Sequence, residues 1–402
     1  MPSKDETRTS FVRSAPELER VAEEARVKGT AGLDTEFMRE KTYRARLCLV
    51  QISTRDGIYL IDPLDDLDLE PVAKLVADDS VQIVVHAGRQ DFEIFFERFG
   101  VTPARIFDVQ IAAGFAGLGA SLPYGRLVKE VMGRDLEKAA SYTDWCRRPL
   151  TDEQVQYAAD DVRYLLAVAD RLKDKLTKGR RIDWIEDEMA YLEDPSLYEY
   201  DPEEAWRRVS GRGGLSGRQQ AILRELAAWR ERTAARRDLP RGWVIKDQSL
   251  VEAARRAPSS VRALKDLRGF PAKEAERSGE ELLEAIERGR KAPELRSPKR
   301  PSRSAQLRAR TLSGLADAIV RSRCEHAGIA TELVATRGEL EDLLLAVFAG
   351  DLSPERHRTL RGWRKDLVGD AVVALAEGRI AVRSTPEPPY IEEVPLGTTE
   401  DT

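Results

Sequence analysis

The stretch "AGLDTEF", residues 31–37, decides how the first half of the chain is read. Its small and apolar residues suit a buried strand, yet it carries Asp34 and Glu36. In an extended strand successive side chains alternate faces, so both carboxylates lie on one side. Side by side they repel, and burying either one unpaired is costly. By itself a D-x-E pair reads as a solvated strand face. Any other reading needs support from the surrounding sequence.

Upstream, "APELERVAEEARVKG" has a helical pattern. Downstream, "RLCLVQIST" and "GIYLIDP" are short, β-rich runs separated by polar or Gly-containing turns, which with residues 31–37 predicts an antiparallel meander. A helix near "LEPVAKLVAD" follows, then the strand "VQIVVH" and a helix opening at "AGRQDFEIFFERFG". "RIFDVQIAAGF" supplies a fifth strand that runs into another helix. The succession predicts an α/β fold, a mixed sheet with helices on its faces. "LTDEQVQYAADDVRYLLAVADRLKDKL" reads as one long helix, with Thr151 as N-cap and Gln154 completing a capping box. From about residue 201 the strands vanish and amphipathic helices continue to about residue 289. The Pro-, Ser- and base-rich "KAPELRSPKRPSRS" marks a linker to a second helical region, about 304–380. "LRGF" at 267–270 returns as "LRGW" at 360–363, and the 93-residue spacing suggests a duplicated unit. The acidic, Pro-rich end of the chain, 384–402, is expected to be disordered.

With 402 residues the chain has room for two to three domains. No apolar run is long enough to span a bilayer, and the N-terminal twenty residues lack the apolar centre of a signal peptide. Cys48, Cys146 and Cys324 are far apart, without C-x-x-C spacing, so neither a zinc site nor a disulfide framework is expected. These features point to a cytoplasmic protein that does not engage a membrane. The net charge of −5 is unevenly spread: residues 1–200 carry −10, residues 201–310 carry +11 and residues 311–402 carry −6. A basic middle between acidic parts would hold a polyanion, or it is simply a set of well-solvated helices.

Three more positions are candidates for chemistry. Asp91 falls in the first turn of the helix after the strand ending at His86, where a favourable helix dipole is the local explanation. Tyr157 and Asp161 share a helix face, four residues apart. Locally, Tyr157 would be a half-buried core residue and Asp161 the partner of Arg163 or Arg126. Taken together, four carboxylates converging at one end of a sheet would repel one another unless divalent cations joined them. Oxygen ligands without histidine or thiolate call for Mg²⁺ or Mn²⁺. Two such ions can clamp the attacking and leaving oxygens of a phosphodiester, with a tyrosine hydroxyl orienting or helping to deprotonate the water.

The motifs, in order and spacing, resemble the ribonuclease D family, 3′→5′ exoribonucleases of the tyrosine-bearing branch of the DEDD superfamily. "LDTEF" with "KTYRARLCLVQIS" resembles the first exonuclease motif, "VVHAGRQDFEIF" the second and "TDWCRRPLTDEQVQYAADDVRYL" the third. The run Asp144 to Leu150, D-W-x-x-R-P-L, is the most specific to this family. Ala45 stands where the family often has proline, and Asp160 adjoins Asp161. The four-residue step from Tyr157 selects Asp161, because Asp160 is about 100° further round the helix. The resemblance implies a ribonuclease H-like exonuclease domain over 1–200, followed by two all-α HRDC (helicase and RNase D C-terminal) domains, 213–292 and 303–383. It implies that Asp34, Glu36, Asp91 and Asp161 hold two Mg²⁺ or Mn²⁺ ions and that Tyr157 positions the water. Phe37, Tyr43, His86, Lys138, Arg147 and Arg148 are candidate substrate contacts. Phe37 and Tyr43 are also candidates for strand-end packing, and His86 for a core histidine. The implied partner is RNA, a 3′-extended precursor tRNA, with no obligate protein partner. A DNA exonuclease of the same superfamily and an inactive nucleic-acid adaptor are the alternatives.

Overall fold

A computed structural model of the chain describes residues 8–136, 143–295 and 301–396. Its first unit runs β1 (Thr9–Val12), α1 (Ala15–Lys28), β2 (Thr30–Met38), β3 (Arg46–Ser53), β4 (Ile58–Ile61), α2 (Glu70–Val76), β5 (Gln82–Val85) and α3 (Arg89–Phe99). It continues through β6 (Ile106–Asp108), α4 (Val109–Phe115), α5 (Tyr124–Met132), α6 (Asp152–Arg163), α7 (Leu165–Lys178) and α8 (Ile182–Glu193). The six strands form one mixed sheet in the order β1-β4-β3-β2-β5-β6. β2, β3 and β4 are the predicted antiparallel meander, while β5 and β6 extend the sheet in parallel beyond β2. The edge strand β1, parallel to β4, was not foreseen. β3 is buried from Leu47 to Ser53, because both faces of the sheet are covered there.

The single helix expected from residue 151 breaks at Tyr164 into α6 and α7. α6 starts with the predicted Thr151–Gln154 capping box. At the break, the Tyr164 amide donates to the Tyr124 hydroxyl at 3.3 Å instead of continuing the helix.

The helical half follows as α9 (Gly217–Arg237), α10 (Arg241–Val244), α11 (Asp247–Arg256), α12 (Val261–Lys265) and α13 (Ala272–Lys291). Then come α14 (Arg303–Ala327), α15 (Thr331–Val334), α16 (Arg337–Ala349), α17 (Gly362–Arg364) and α18 (Asp370–Ala376). A long helix, a four-residue helix and a medium helix open both sets in the same order, with a two-residue step from Val244 to Asp247 and from Val334 to Arg337. The packing differs. The first set has its own core, including Ile222, Leu226, Leu250, Leu282 and Ile286. The second shares the core of the sheet unit. Trp363 stacks on Trp184 with centroids 5.2 Å apart, Arg364 makes a two-pronged ion pair with Glu188, and the Ala330 amide donates to the Gly114 carbonyl at 2.9 Å.

Two further expectations fail. Residues 384–402 are not uniformly disordered: β8 (Ile391–Pro395) pairs with β7 (Ile380–Ser384), and Arg323 of α14 holds Glu393 at 2.7 Å. The apolar residues of this hairpin are too few and dispersed to outweigh its acidic, Pro-rich composition in a sequence reading. The cysteines also pair: Cys48 and Cys146 form a disulfide with Cα atoms 5.3 Å apart, across 98 residues that carry no spacing signal. Among the described residues, no helix is long and apolar enough to cross a membrane.

Candidate active site

β2 pairs with β5 only as far as Gly32, which leaves the following residues of that edge open to the start of α3. On one face of β2, Gly32 permits unusually close packing. A Cβ there would fall 2.3 Å from Ser53 Oγ and 3.3 Å from Leu165 Cδ1. Ser53 Oγ donates to the Val162 carbonyl at 2.9 Å and ties β3 to the end of α6. The last turn of α6 is thereby drawn onto the strand pair. Asp34, Glu36 and Asp161 each offer a carboxylate oxygen, all within 4.8 Å of one another.

Asp91 arrives by another route. α3 begins after a turn in which Ala87 has φ 58°. Asp108, at the end of β6, accepts from the Ala87 and Gly88 amides at 3.1 Å each and from the Gln110 amide at 2.8 Å. This grip sets the first turn of α3, where Asp91, 7% exposed, accepts the Thr35 hydroxyl. Asp91 thus stands at the free edge of β2 and is not part of the three-carboxylate group. The sequence reading missed Thr35 and Asp108. An Asp at a strand–helix junction is a readable N-cap signal; nothing local marks Thr35.

Crowding and burial push the carboxyls up together. Burial, then Asp161, Asp91 and Glu36, hold Asp34 well above the usual carboxylate range. Glu36 is raised to about 8 by burial and by Asp161 and Asp91. Asp91 reaches about 7 through burial, against the opposing Thr35 hydroxyl, and Asp161 about 7 through burial and Asp160. The Tyr157 hydroxyl beside Asp161 partly offsets this, and its own phenol is raised by burial and by the carboxylates. The donor set fits hard divalent cations: oxygen ligands only, close together, and disfavoured as anions until positive charge joins them. Asp160 faces elsewhere, bonded to Arg163 at 2.7 Å and Gln156 at 2.9 Å. Arg126 lies with Glu130.

The segment 143–148 forms the wall beside this cluster. Trp145 packs on Tyr157 with ring centroids 5.9 Å apart. Thr143, Asp144 and Trp145 line two cavities, one of about 500 Å³ with Arg147 and Tyr157, the other of about 690 Å³ with Glu36 and Phe37. Phe37 and Arg147 thus line cavities beside the carboxylates. Arg148 is committed elsewhere: it pairs with Asp62 and donates to the carbonyls of Cys48 at 2.6 Å and Trp145 at 2.7 Å. It braces the wall and is not presented to a phosphate. Tyr43 is also withdrawn. Its hydroxyl donates to Glu231 of α9 at 2.5 Å, and the Arg241 guanidinium lies 5.0 Å from its ring centroid. His86 behaves as a core histidine, with Nε2 2.9 Å from the Leu122 carbonyl and its ring 5.4 Å from that of Tyr124. Lys138 lies outside the described residues.

The chain is similar to known proteins in sequence and in fold. A family model described as 3′-5′ exonuclease matches residues 10–177, and an HRDC domain model matches residues 219–286. Ribonuclease D of Granulibacter bethesdensis is 41% identical over 355 residues, covering 87% of this chain and 88% of that one. Ribonuclease D of Gluconacetobacter diazotrophicus is 38% identical over 374 residues, covering 92% and 93%. The crystal structure of Escherichia coli RNase D, an exoribonuclease involved in structured RNA processing, superposes with a TM-score of 0.81 at 30% identity, over 92% of this chain and 99% of that one. The chain therefore belongs to the ribonuclease D family and is a 3′→5′ exoribonuclease.

Proposed function

We propose that the enzyme removes nucleotides from the 3′-hydroxyl end of structured RNA by a two-metal-ion reaction, with 3′-extended precursor tRNA as its substrate. The observation that carries the proposal is the group of Asp34, Glu36 and Asp161 oxygens within 4.8 Å, with Tyr157 one helical turn from Asp161 on α6. Asp34, Glu36 and Asp161 would hold one Mg²⁺ or Mn²⁺ ion, and Asp34 with Asp91 the second. When bound, the ions supply Lewis-acid activation of water and neutralise charge at the leaving oxygen. The protein's part is positioning. Tyr157, beside Asp161, orients the water by hydrogen bonding. Water gives up a proton to solvent as it attacks the phosphorus joining the last two nucleotides, the bond to the penultimate nucleotide's 3′ oxygen breaks, and that oxygen takes a proton from solvent. A nucleoside 5′-monophosphate leaves and the shortened RNA keeps a 3′-hydroxyl.

Phe37 and Arg147 line the cavities where the terminal nucleotides would lie, by stacking and by phosphate contact. Residues 213–292 and 303–383 are proposed as two HRDC-type units that hold the structured body of the RNA. The repeated helix order supports the second assignment. The likeness to Escherichia coli RNase D, an enzyme of structured RNA processing, supports a structured substrate.

The test incubates wild type and Asp34→Ala with 3′-extended tRNA and with single-stranded DNA, in Mg²⁺, Mn²⁺ or EDTA. Metal-dependent trimming of the RNA, lost in Asp34→Ala by at least about 10³-fold, is expected. Equal trimming by both proteins would overturn the two-ion site, and an untouched tRNA extension would overturn the substrate.

A further inference from the structure

We propose that Gln51 is a positioning residue for the carboxylate site, its amide donating to Asp34 when that carboxylate is ionised and holds a cation. The inference rests on the two-ion reading and adds to it a residue besides Asp34, Glu36, Asp91, Tyr157 and Asp161.

Gln51 is the direct antiparallel partner of Asp34. Directly opposed residues project from the same face of a sheet, with Cβ atoms about 4.5–5.5 Å apart. The Gln51 side chain therefore rises on the face that carries Asp34 and Glu36, under α6. It is 0% exposed, and among the described residues neither its Oε1 nor its Nε2 has a hydrogen-bond partner. Ser53, the next residue of β3 on this face, is satisfied by the Val162 carbonyl, so the helix does supply partners where its geometry allows. Gln51, one step closer to the carboxylates, is left without one.

An unpaired buried amide destabilises a fold, and native structures contain few. An apolar side chain of similar length would fill the same space without that penalty. What distinguishes the position is its neighbour. A carboxylate that gives one oxygen to a cation keeps lone pairs that need a donor, and an amide NH₂ supplies two hydrogens without adding charge. Hydrogen bonds of this kind orient metal-binding groups, and losing one typically weakens metal affinity about 10–100-fold. A lysine or arginine here would instead compete with the cation for the carboxylates.

If Gln51 serves the site, removing its polar atoms should improve the metal-free fold and impair metal binding together. A mere packing residue would show no such opposition. The experiment uses the full chain, wild type and Gln51→Met, without RNA. Mn²⁺ binding is titrated by calorimetry, and thermal melting is followed in EDTA. The expected results for Gln51→Met are Mn²⁺ affinity at least about 10-fold weaker and a midpoint in EDTA unchanged or raised by about 2–4 °C. Unchanged affinity overturns the proposal, and so does a lowered midpoint in EDTA, including failure to fold. Wild type that binds no Mn²⁺ would overturn the two-ion reading and this proposal with it. Normal binding by wild type and variant alike would overturn this proposal alone.

Discussion

At the scale of single residues, the proposed active site is a set of carboxyls whose charged state is disfavoured by burial and crowding. The folded pKa values of Glu36, Asp91 and Asp161 lie well above the ordinary values of 4.5 and 3.8. For an acid raised on folding, the native state favours the protonated form. Its stabilising contribution is complete below the unfolded pKa and is lost as pH rises through the folded one. In EDTA the melting temperature should therefore fall between about pH 4 and pH 8, the interval these shifts define. Asp161→Asn should flatten part of that slope, and the stabilisation given by Mn²⁺ should grow over the same interval. Calorimetric melts at several pH values, with and without Mn²⁺, check both statements. Tyr157 acts on a smaller scale, by one hydroxyl. Tyr157→Phe should lower kcat by roughly 10²-fold with KM for RNA little changed, measured by steady-state release of mononucleotides. A loss confined to KM would assign the hydroxyl to RNA binding instead.

Among the elements, α6 and the segment before it matter most, because they carry one side of the site to the other. α6 brings Asp161 to Asp34 only because Gly32 and Ser53 let it lie close on the strands. Its start is fixed by the Thr151 box, and its end by the break at Tyr164. Arg148 joins the wall 143–148 to β3 and to Asp62. Burial alone would raise the Asp62 carboxyl, but the Arg148 hydrogen bonds outweigh it and the net shift is downward. Arg148→Ala should cost about 2 kcal/mol, read by urea denaturation. It should also lower kcat, through displacement of Trp145 from the Tyr157 ring. A variant with native stability and weaker RNA binding would show that Arg148 contacts phosphate after all.

Across the whole molecule, the two helical sets play unequal parts. The second is continuous with the sheet core through Trp184, Trp363 and the Glu188–Arg364 pair. The first keeps a separate core and meets the sheet unit through Tyr43, Glu231 and Arg241. Asp238, which closes α9, also accepts from the Tyr43 and Arg44 amides at 3.0 and 3.3 Å. This contact grips the connection between β2 and β3, whose residues 39–42 line the cavity beside Glu36. Glu231 is only 1% exposed, so removing its cation should be felt even though Arg241 is 45% exposed. Arg241→Ala should destabilise by on the order of 2 kcal/mol and separate the melting of residues 213–292 from that of the rest, as seen by calorimetry. A single transition at the wild-type temperature would show that the contact is incidental. The positive charge of the middle region is also largely engaged within the protein, in pairs such as Arg230–Asp247, Arg237–Glu274 and Arg288–Glu225.

Most of the elements, and the residues of the proposed site, are legible in the chain alone. Period-two alternation puts Asp34 and Glu36 on one face, the four-residue step puts Tyr157 and Asp161 on another, and Thr151 and Gln154 announce the helix that carries the second pair. These are local regularities, set by strand and helix geometry within a few residues, and such regularities survive in a one-dimensional reading. Which side chains are free to serve is settled only by folding. Tyr43 is claimed by Glu231, 188 residues away, Arg148 by Asp62 across 86 residues, and Cys48 is joined to Cys146 across 98. No spacing rule reaches over such distances, because these pairings depend on where separate elements come to rest on one another. The same holds for Gln51: in the sequence it is a polar residue in an apolar strand, and only the closed sheet shows it buried, unpaired and opposite Asp34.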